Sequence, residues 1–253
     1  TRTMSDAQKH SLSLVFPCDN DKGTIAALVW DAKKVAEKLA DDVEIIVVDN
    51  ASTDGTREAL LDLKLKNEIP QFTLLLHEKK LRYGQLLKSG LEAASKDLIF
   101  YTDGDAQYDV RELPLLWERL TDAVDIVNGY KTRRRDPVHR IVIGFVYQYV
   151  ARFAFALPIR DIDCDFRLLR RRVLDAVELT SATGTVTIEL IKKSEQAGFH
   201  FAEAPVSHLY RMHGPSKFFS FSRIVRAVGR LTALWLELMV LARFRPTRAH
   251  YQI

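Results

Sequence analysis

Asp103, Gly104, Asp105 and Gln107 fall within FYTDGDAQYD, residues 100–109, directly behind an apolar run. Carboxylates this close repel one another unless a cation or a donor-rich ligand offsets their charge. Asp103 and Asp105, one glycine apart, can direct oxygen ligands to one ion, with Gln107 on the same side of an extended segment. Hard oxygen ligands select Mg2+ or Mn2+, ions that keep waters and take up phosphate oxygens. The substrate would then carry a diphosphate. An Asp-x-Asp alone is a weak signal and most often a solvated turn, but two further apolar runs end the same way. PCDND (17–21) contributes Pro17, Asp19 and Asp21, and DNASTDGT (49–56) contributes Asp49 and Ser52. Ser52, Thr53 or Asp54 also fits as the cap of a helix starting near Thr56.

These clusters need elements that bring them together. SLSLVF (11–16), VEIIVVD (43–49), FTLLLH (72–77), DLIFYTD (97–103) and VDIVNG (124–129) are apolar runs of strand length. Between them, Ile25, Leu28, Val29, Ala32, Val35, Ala36 and Leu39 recur at helical spacing, as do Leu60, Leu61 and Leu65. Near-continuous Val and Ile runs alternating with amphipathic helices predict an α/β fold: a mostly parallel sheet covered by helices on both faces. In such a sheet, ligands collect beyond the carboxyl ends of the strands, which is where the three polar clusters lie. From about residue 130 the pattern changes to helices with short extended pieces.

The 253 residues, 47% hydrophobic and 28% charged, suffice for one large domain. Cys18 and Cys164 are too few and too distant for a disulfide framework, which predicts a reducing, cytosolic setting. Neither a signal peptide nor an apolar run of about 20 residues is evident. The net charge is only +4. From Val206 onward, however, eight Lys or Arg face one acid, Glu237, so an anionic partner is expected near the C-terminus.

The order VFPCDND, VVDNASTDGT, LRYGQLLKSGLEAASKDLIFYTDGDAQYD and EAPVSHLYRMHGPSKF resembles family 2 glycosyltransferases of GT-A fold, especially the polyprenyl-phosphate, dolichyl-phosphate mannose synthase-like branch. The resemblance covers roughly residues 11–220. It implies that Pro17, Asp19 and Asp21 line the nucleoside pocket of a GDP- or UDP-hexose, with Asp49 near the base and Ser52 beside it. Asp103, Gly104, Asp105 and Gln107 would hold the Mg2+ or Mn2+ ion and the sugar diphosphate. Position 19 is commonly aromatic and position 21 glutamate in that family; both are Asp here. Gly84 precedes a helical stretch near Gln85 whose backbone N–H groups could meet an anion, with Arg82 adding a cation, or RYG is simply a strand-to-helix turn.

GYKTRRRDPVHR (129–140) follows the fifth strand, and the resemblance assigns Arg133 and Arg140 to the acceptor phosphate, which arginine matches in a bidentate way. DIDCDFRLLRR (161–171) resembles the family's Asp-x-x-Ser-Gly-Phe-Arg segment, matching Asp161, Phe166 and Arg167, with Cys164 for Ser and Asp165 for Gly. Arg167 and Ser216 are thereby placed with the acceptor phosphate. RMHGPSKFF (211–219) corresponds to a loop closing over the diphosphate, with Arg211 and Lys217 supplying cations.

Displacing a nucleoside diphosphate leaves negative charge that metal and lid cations can offset in a single inverting attack. A hydroxyl acceptor, soluble or glycan, would want a general base, for which Asp163, Asp165 and Glu189 are candidates. A lipid phosphate needs positioning instead. RIVRAVGRLTALWLELMVLARFR (223–245) is basic at its ends and apolar between: it suits a peripheral seat on the cytoplasmic membrane face, or packing on the sheet or in a homodimer interface. The chain is thus expected to divide into a catalytic domain, 1–220, and an amphipathic helical segment, 221–253, with no nucleic-acid partner. A sugar-nucleotide pyrophosphorylase fits less well, because no Gly-rich triphosphate loop follows the first strand; a non-catalytic membrane-binding scaffold of the same fold is the remaining alternative.

Overall fold

Alternate residues of the first strand face opposite ways, with Leu12, Leu14 and Phe16 on one side and Val15 on the other, so the strand must be covered on both sides. The computed structural model describes residues 10–66, 69, 71–133, 138–210 and 221–241, with backbone only at 133, 138–143, 221–225 and 227. Its strands are β1 (Ser11–Cys18), β2 (Asp42–Asp49), β3 (Phe72–Leu76), β4 (Leu98–Thr102), β5 (Ile126–Arg133), β6 (Phe166–Arg170) and β7 (Phe201–Ser207). The helices are α1 (Ile25–Ala36), α2 (Thr56–Leu65), α3 (Tyr83–Ala93), α4 (Leu113–Trp117), α5 (Val138–Phe155), α6 (Arg171–Ala176), α7 (Val186–Gln196) and α8 (Phe221–Trp235), the last continued by a π turn over Leu236–Val240. One seven-stranded sheet runs β3-β2-β1-β4-β6-β5-β7. Only β6 is antiparallel to its neighbours.

Leu12, Leu14 and Phe16 of β1 face Ile25 and Val29 of α1, Leu60 of α2 and Leu116 of α4. Val15, with Ile46, Val48, Ile99 and Tyr101, faces Leu87 and Leu91 of α3 and Leu190 of α7. Burying one such aliphatic side chain contributes about 1.5–3 kcal/mol, so these two layers dominate the favourable side of folding. A third cluster joins Ala151 and Phe155 of α5 to Ile188 and Ile191 of α7 and to Leu234 and Leu238. Leu234 of α8 and Leu238 of the π turn are thus buried against α5 and α7, where packing on the sheet or in a homodimer interface is among the expectations for residues 223–245.

The second half of the chain has the helices and short extended pieces expected of it, and the extended pieces are strands of the main sheet. It supplies β6 and β7 to the same sheet, and β6 pairs Phe166 with Thr102 and Arg167 with Tyr101. This insertion delivers residues 161–165 to the end of β4.

Candidate active site

The three polar clusters meet at one sheet edge because β1, β2 and β4 are adjacent and parallel. Backbone bonds then tie their loops together. Asn20 N–H donates to Ser52 Oγ at 3.0 Å, and Thr53 N–H to Asn20 Oδ1 at 2.9 Å. Asp21 N–H reaches Thr56 Oγ1 at 2.9 Å, and Lys22 N–H reaches Asp54 Oδ2 at 3.2 Å. Gly104 N–H donates to Pro17 O at 2.9 Å while Thr24 Oγ1 donates to Gly104 O at 2.8 Å. A Cβ at Gly104 would sit 2.8 Å from Cys18 Cβ, so only glycine lets β4's loop close on β1. Each loop also carries a non-glycine residue in the left-handed region: Asn20 (φ 63°), Ala51 (φ 49°) and Ala106 (φ 54°). Such backbone persists only where surrounding bonds over-determine it, as they do here.

The carboxylates are held in different ways. Asp49 is fully buried and takes Arg57 Nε at 3.1 Å and Ser52 N–H at 3.3 Å. Asp19 accepts from Asn50 Nδ2 at 3.2 Å and is paired with Lys80. Asp21 accepts from Asp19 N–H at 2.8 Å. Arg57, Lys80 and Asn50 were invisible as site residues, since each reads as ordinary helix, loop or cap chemistry. Burial, and then the charges of Asp49, Asp21, Asp19 and Asp54, push the Cys18 thiol well up.

Asp103 stands at the centre. Tyr83 Oη, from the first turn of α3, donates to Asp103 Oδ1 at 2.9 Å. Burial, then the charges of Asp165 and Asp105, hold its carboxyl well above the usual carboxylate range, against the lowering effect of Tyr83. Asp165, the residue standing in place of the family's glycine, thus joins the acidic edge through β6. Burial also raises the Asp165 carboxyl, opposed by Arg167 and Lys131. Asp105 Oδ1 accepts from Gln107 N–H at 3.1 Å, and Gln107 Nε2 donates to Leu209 O at 3.3 Å, tying the motif to the end of β7.

Three expectations are corrected. Arg167 is no phosphate ligand: it is fully buried, and its guanidinium donates to Asn128 Oδ1, Tyr101 Oη, Ile162 O (2.6 Å) and Asp165 Oδ1 (3.4 Å). Gly84 offers no free N–H to an anion, since it donates to Ala182 O at 3.1 Å; a Cβ there would lie 2.2 Å from Ser181 O, so the glycine serves close approach of α3 to residues 181–183. Glu189 is no general base: buried, it accepts from Thr180 N–H (3.0 Å), Ser181 N–H (2.8 Å) and Lys193 Nζ (2.6 Å) and so anchors that same loop. The capping reading of DNASTDGT holds in modified form. Gly55 (φ 93°) is the cap residue, and Asp54 Oδ1 accepts from Thr56 N–H at 3.0 Å. Arg133 and Arg140 lie on β5 and α5, where only their backbone is described. Arg211, Ser216 and Lys217 fall outside the described residues.

Among the described residues, no three His, Cys, Asp or Glu side chains form a ready metal cage. An oxygen-only pair of carboxylates, oriented by Tyr83 Oη and Gln107 N–H, nonetheless fits Mg2+ or Mn2+, which complete their shells with water and substrate phosphates.

Residues 13–177 match the family model described as Glycosyl transferase family 2. Among curated proteins, the chain is 26% identical over 211 residues to the undecaprenyl-phosphate 4-deoxy-4-formamido-L-arabinose transferase of Pseudomonas fluorescens (strain Pf0-1), covering 83% of this chain and 60% of that one. The protein of the same name from Aeromonas hydrophila is 26% identical over 217 residues, covering 85% and 65%. The chain therefore spans between 60% and 65% of the length of these relatives. Among solved structures, mannosyl-3-phosphoglycerate synthase from Rubrobacter xylanophilus superposes with a TM-score of 0.67 at 18% identity over 96% of this chain and 79% of that one. Glucosyl-3-phosphoglycerate synthase from Mycobacterium tuberculosis, in complex with Mn2+, UDP and glucosyl-3-phosphoglycerate, gives 0.65 at 17% over 94% and 82%. These likenesses establish the fold, that of the GT-A glycosyltransferases.

Proposed function

The chain belongs to glycosyl transferase family 2, and from that premise we propose that it moves a hexose from a GDP- or UDP-linked donor to a polyprenyl phosphate, inverting the anomeric carbon. One observation carries this reading: three acid-bearing loops are bonded to one another at a single strand edge, with Asp103 held between Tyr83, Asp105 and Asp165. The naming of the curated relatives as undecaprenyl-phosphate transferases supports the acceptor class.

Pro17, Asp19, Asp21, Asp49 and Ser52 shape the nucleoside side, where the tied loops keep the pocket formed before the donor arrives and so reduce the ordering cost of binding. Asp103 and Asp105 would hold Mg2+ or Mn2+, with Gln107 at the rim. When bound, that ion offsets charge developing on the departing diphosphate. Tyr83 orients Asp103 through its hydroxyl. Arg211 and Lys217 are proposed to bring cations over the diphosphate, and Arg133, Arg140 and Ser216 to hold the acceptor phosphate. An ionised phosphate attacks without losing a proton, so the commitment of Glu189 to structure leaves no step wanting. Residues 221–253 would add a peripheral contact with the cytoplasmic face of the membrane. Among the described residues, no helix is long and apolar enough to cross one.

The test is incubation with a panel of nucleotide sugars, Mg2+ or Mn2+ and a short-chain polyprenyl phosphate in detergent, scoring lipid-linked sugar and free nucleoside diphosphate. Asp105→Ala should abolish metal-dependent turnover, and Arg133→Ala should weaken acceptor use more than donor binding. Equal activity in both variants would remove these assignments. Release of pyrophosphate instead of a nucleoside diphosphate would remove the reaction class.

A further inference from the structure

Strand order measures distance along the acidic edge. The sheet runs β3-β2-β1-β4-β6-β5-β7, with neighbouring strands about 4.7–4.9 Å apart. The loops proposed to hold the nucleoside follow β2 and β1, and Asp103 and Asp105, proposed for the ion and diphosphate, follow β4. In a nucleotide sugar the hexose hangs from the phosphate farther from the nucleoside, so the same line carries it from β4 towards β6. Beyond β6 lies β5, which ends in Lys131, Thr132 and Arg133, the last proposed for the acceptor phosphate. A hexose between donor phosphate and acceptor phosphate therefore lies over the start of β6, and Asp165 immediately precedes that strand.

Register fixes where this carboxylate stands. β4 and β6 are antiparallel, with Tyr101 opposite Arg167 and Thr102 opposite Phe166, so the next pair outward is Asp103 and Asp165. Alternation puts Tyr101, Asp103, Asp165 and Arg167 on one face, and Arg167 Nη1 accordingly donates to both Tyr101 Oη and Asp165 Oδ1, the latter at 3.4 Å. Tyr83 reaches Asp103 on that face as well. Arg167 is wholly enclosed, whereas the Asp165 side chain keeps 18% of its surface exposed. It is anchored from the buried side and still accessible.

We propose that Asp165 accepts hydrogen bonds from hydroxyl groups of the donor hexose. The inference rests on the nucleotide-sugar reading and deepens it, by naming the side chain that meets the sugar. An ionised carboxylate can only accept. Burial raises the Asp165 carboxyl, while Arg167, Lys131 and the Tyr83 hydroxyl favour its charged form. Neither the diphosphate nor an ionised acceptor phosphate has a proton to give, and both repel a carboxylate. Among the described residues, no three His, Cys, Asp or Glu side chains are grouped to hold one ion, so Asp165 adds no third carboxylate to an ion shared by Asp103 and Asp105. Of the groups that meet at this point, the hexose hydroxyls are the donors. The family segment that residues 161–171 resemble has glycine at this place, which makes no such bond, so the contact is a feature of this chain.

The experiment is calorimetry on the full chain with Mn2+ present, titrating UDP, GDP, UDP-glucose, UDP-N-acetylglucosamine and GDP-mannose into wild type, Asp165→Gly and Asp165→Asn. For the sugar nucleotide that binds, Asp165→Gly should weaken affinity about tenfold or more, the loss of a hydrogen bond to a charged group, while affinity for the bare nucleoside diphosphate does not fall. Asp165→Asn should lose less, since its amide oxygen still accepts. That oxygen also keeps the bond from Arg167, so the asparagine variant carries the test if the glycine variant melts early. Monodeoxy analogues of the bound donor close the cycle: removing the contacted hydroxyl should weaken binding to the wild type and cost Asp165→Gly nothing further. An equal fall for sugar nucleotide and bare diphosphate, or a fall in Mn2+ affinity by electron paramagnetic resonance, would assign Asp165 to the ion and overturn the inference. Donor affinity unchanged with kcat lowered would make it a general base, which overturns it too. Binding of UDP or GDP with sugar-nucleotide affinity unmoved by either substitution removes the contact and spares the donor reading. Failure of the wild type to bind any of these nucleotides removes both.

Discussion

Replacing Arg167 by methionine keeps the length of the side chain and removes its charge from the middle of the sheet. The wild-type guanidinium satisfies Asn128 Oδ1, Tyr101 Oη, Ile162 O and Asp165 Oδ1, and none of its surface is exposed. Hydrogen bonds to a charged group contribute about 1.5–3 kcal/mol each, but the cost of burying the cation disappears with it. The net loss on breaking a buried pair from one side is about 3–5 kcal/mol, a large share of the roughly 5–15 kcal/mol that holds an ordinary domain together. Urea unfolding followed by tryptophan fluorescence measures this, since Trp30 and Trp117 pack against the main core. Asp165→Asn in the methionine background should recover part of the loss, with a coupling of about 0.5–3 kcal/mol, because it removes the carboxylate left without its partner. If Arg167→Met unfolds within about 1 kcal/mol of wild type and raises only the KM for the acceptor, the buried-network account is wrong and the phosphate role returns.

Gly84→Ala should lower the melting temperature, at a cost of about 1–3 kcal/mol, and also reduce turnover, because α3 or residues 181–183 must move and Tyr83 rides on the same turn. Wild-type stability and wild-type turnover together would refute the close-approach argument. Glu189→Gln should cost about 1–3 kcal/mol near neutral pH. Against the effect of burial, Lys193, Thr180 and Ser181 hold the Glu189 carboxyl below its ordinary 4.5, so its contribution is present above that value and lost as pH falls through the folded-state value. Urea unfolding at a series of pH values should therefore show the gap between wild type and variant closing in acid; a constant gap would contradict it. Burial, with Asp161 acting in the same sense and Lys131, Arg167 and the Tyr108 hydrogen bond opposing, pushes the Cys164 thiol up to about 12. Neither it nor Cys18 should react with a disulfide reagent at about pH 8 until the protein is unfolded, and rapid native labelling would show that the buried edge opens.

Much of the first half was legible because its physics is local. Residues buried on both faces are apolar at nearly every position, so Leu12 to Phe16, interrupted only by Ser13, and Ile45 to Val48 announce parallel strands by composition alone. Once β1, β2 and β4 are parallel neighbours, the polar residues after each strand necessarily share an edge. The second half was less legible. Phe166–Arg170 is short and carries an arginine at each end of its Leu pair, which by residue type reads as a surface segment. Arg167 is buried because Tyr101 and Asn128 come to it from two distant strands and join the local Ile162 O and Asp165, and no window of sequence contains that distant compensation.

What the sequence determined by itself was the α/β layering, the ends at which chemistry collects and the acidic pair at Asp103 and Asp105, all of which follow from patterns within a strand or loop. Tertiary structure alone decided the rest. By inserting β6 antiparallel between β4 and β5, it carried Asp165 to Asp103 and withdrew Arg167 and Glu189 from solvent. The physical reason is that the state of a charged or apolar side chain depends on what is brought against it, and strand order, which sets those neighbours, is a property of the whole chain.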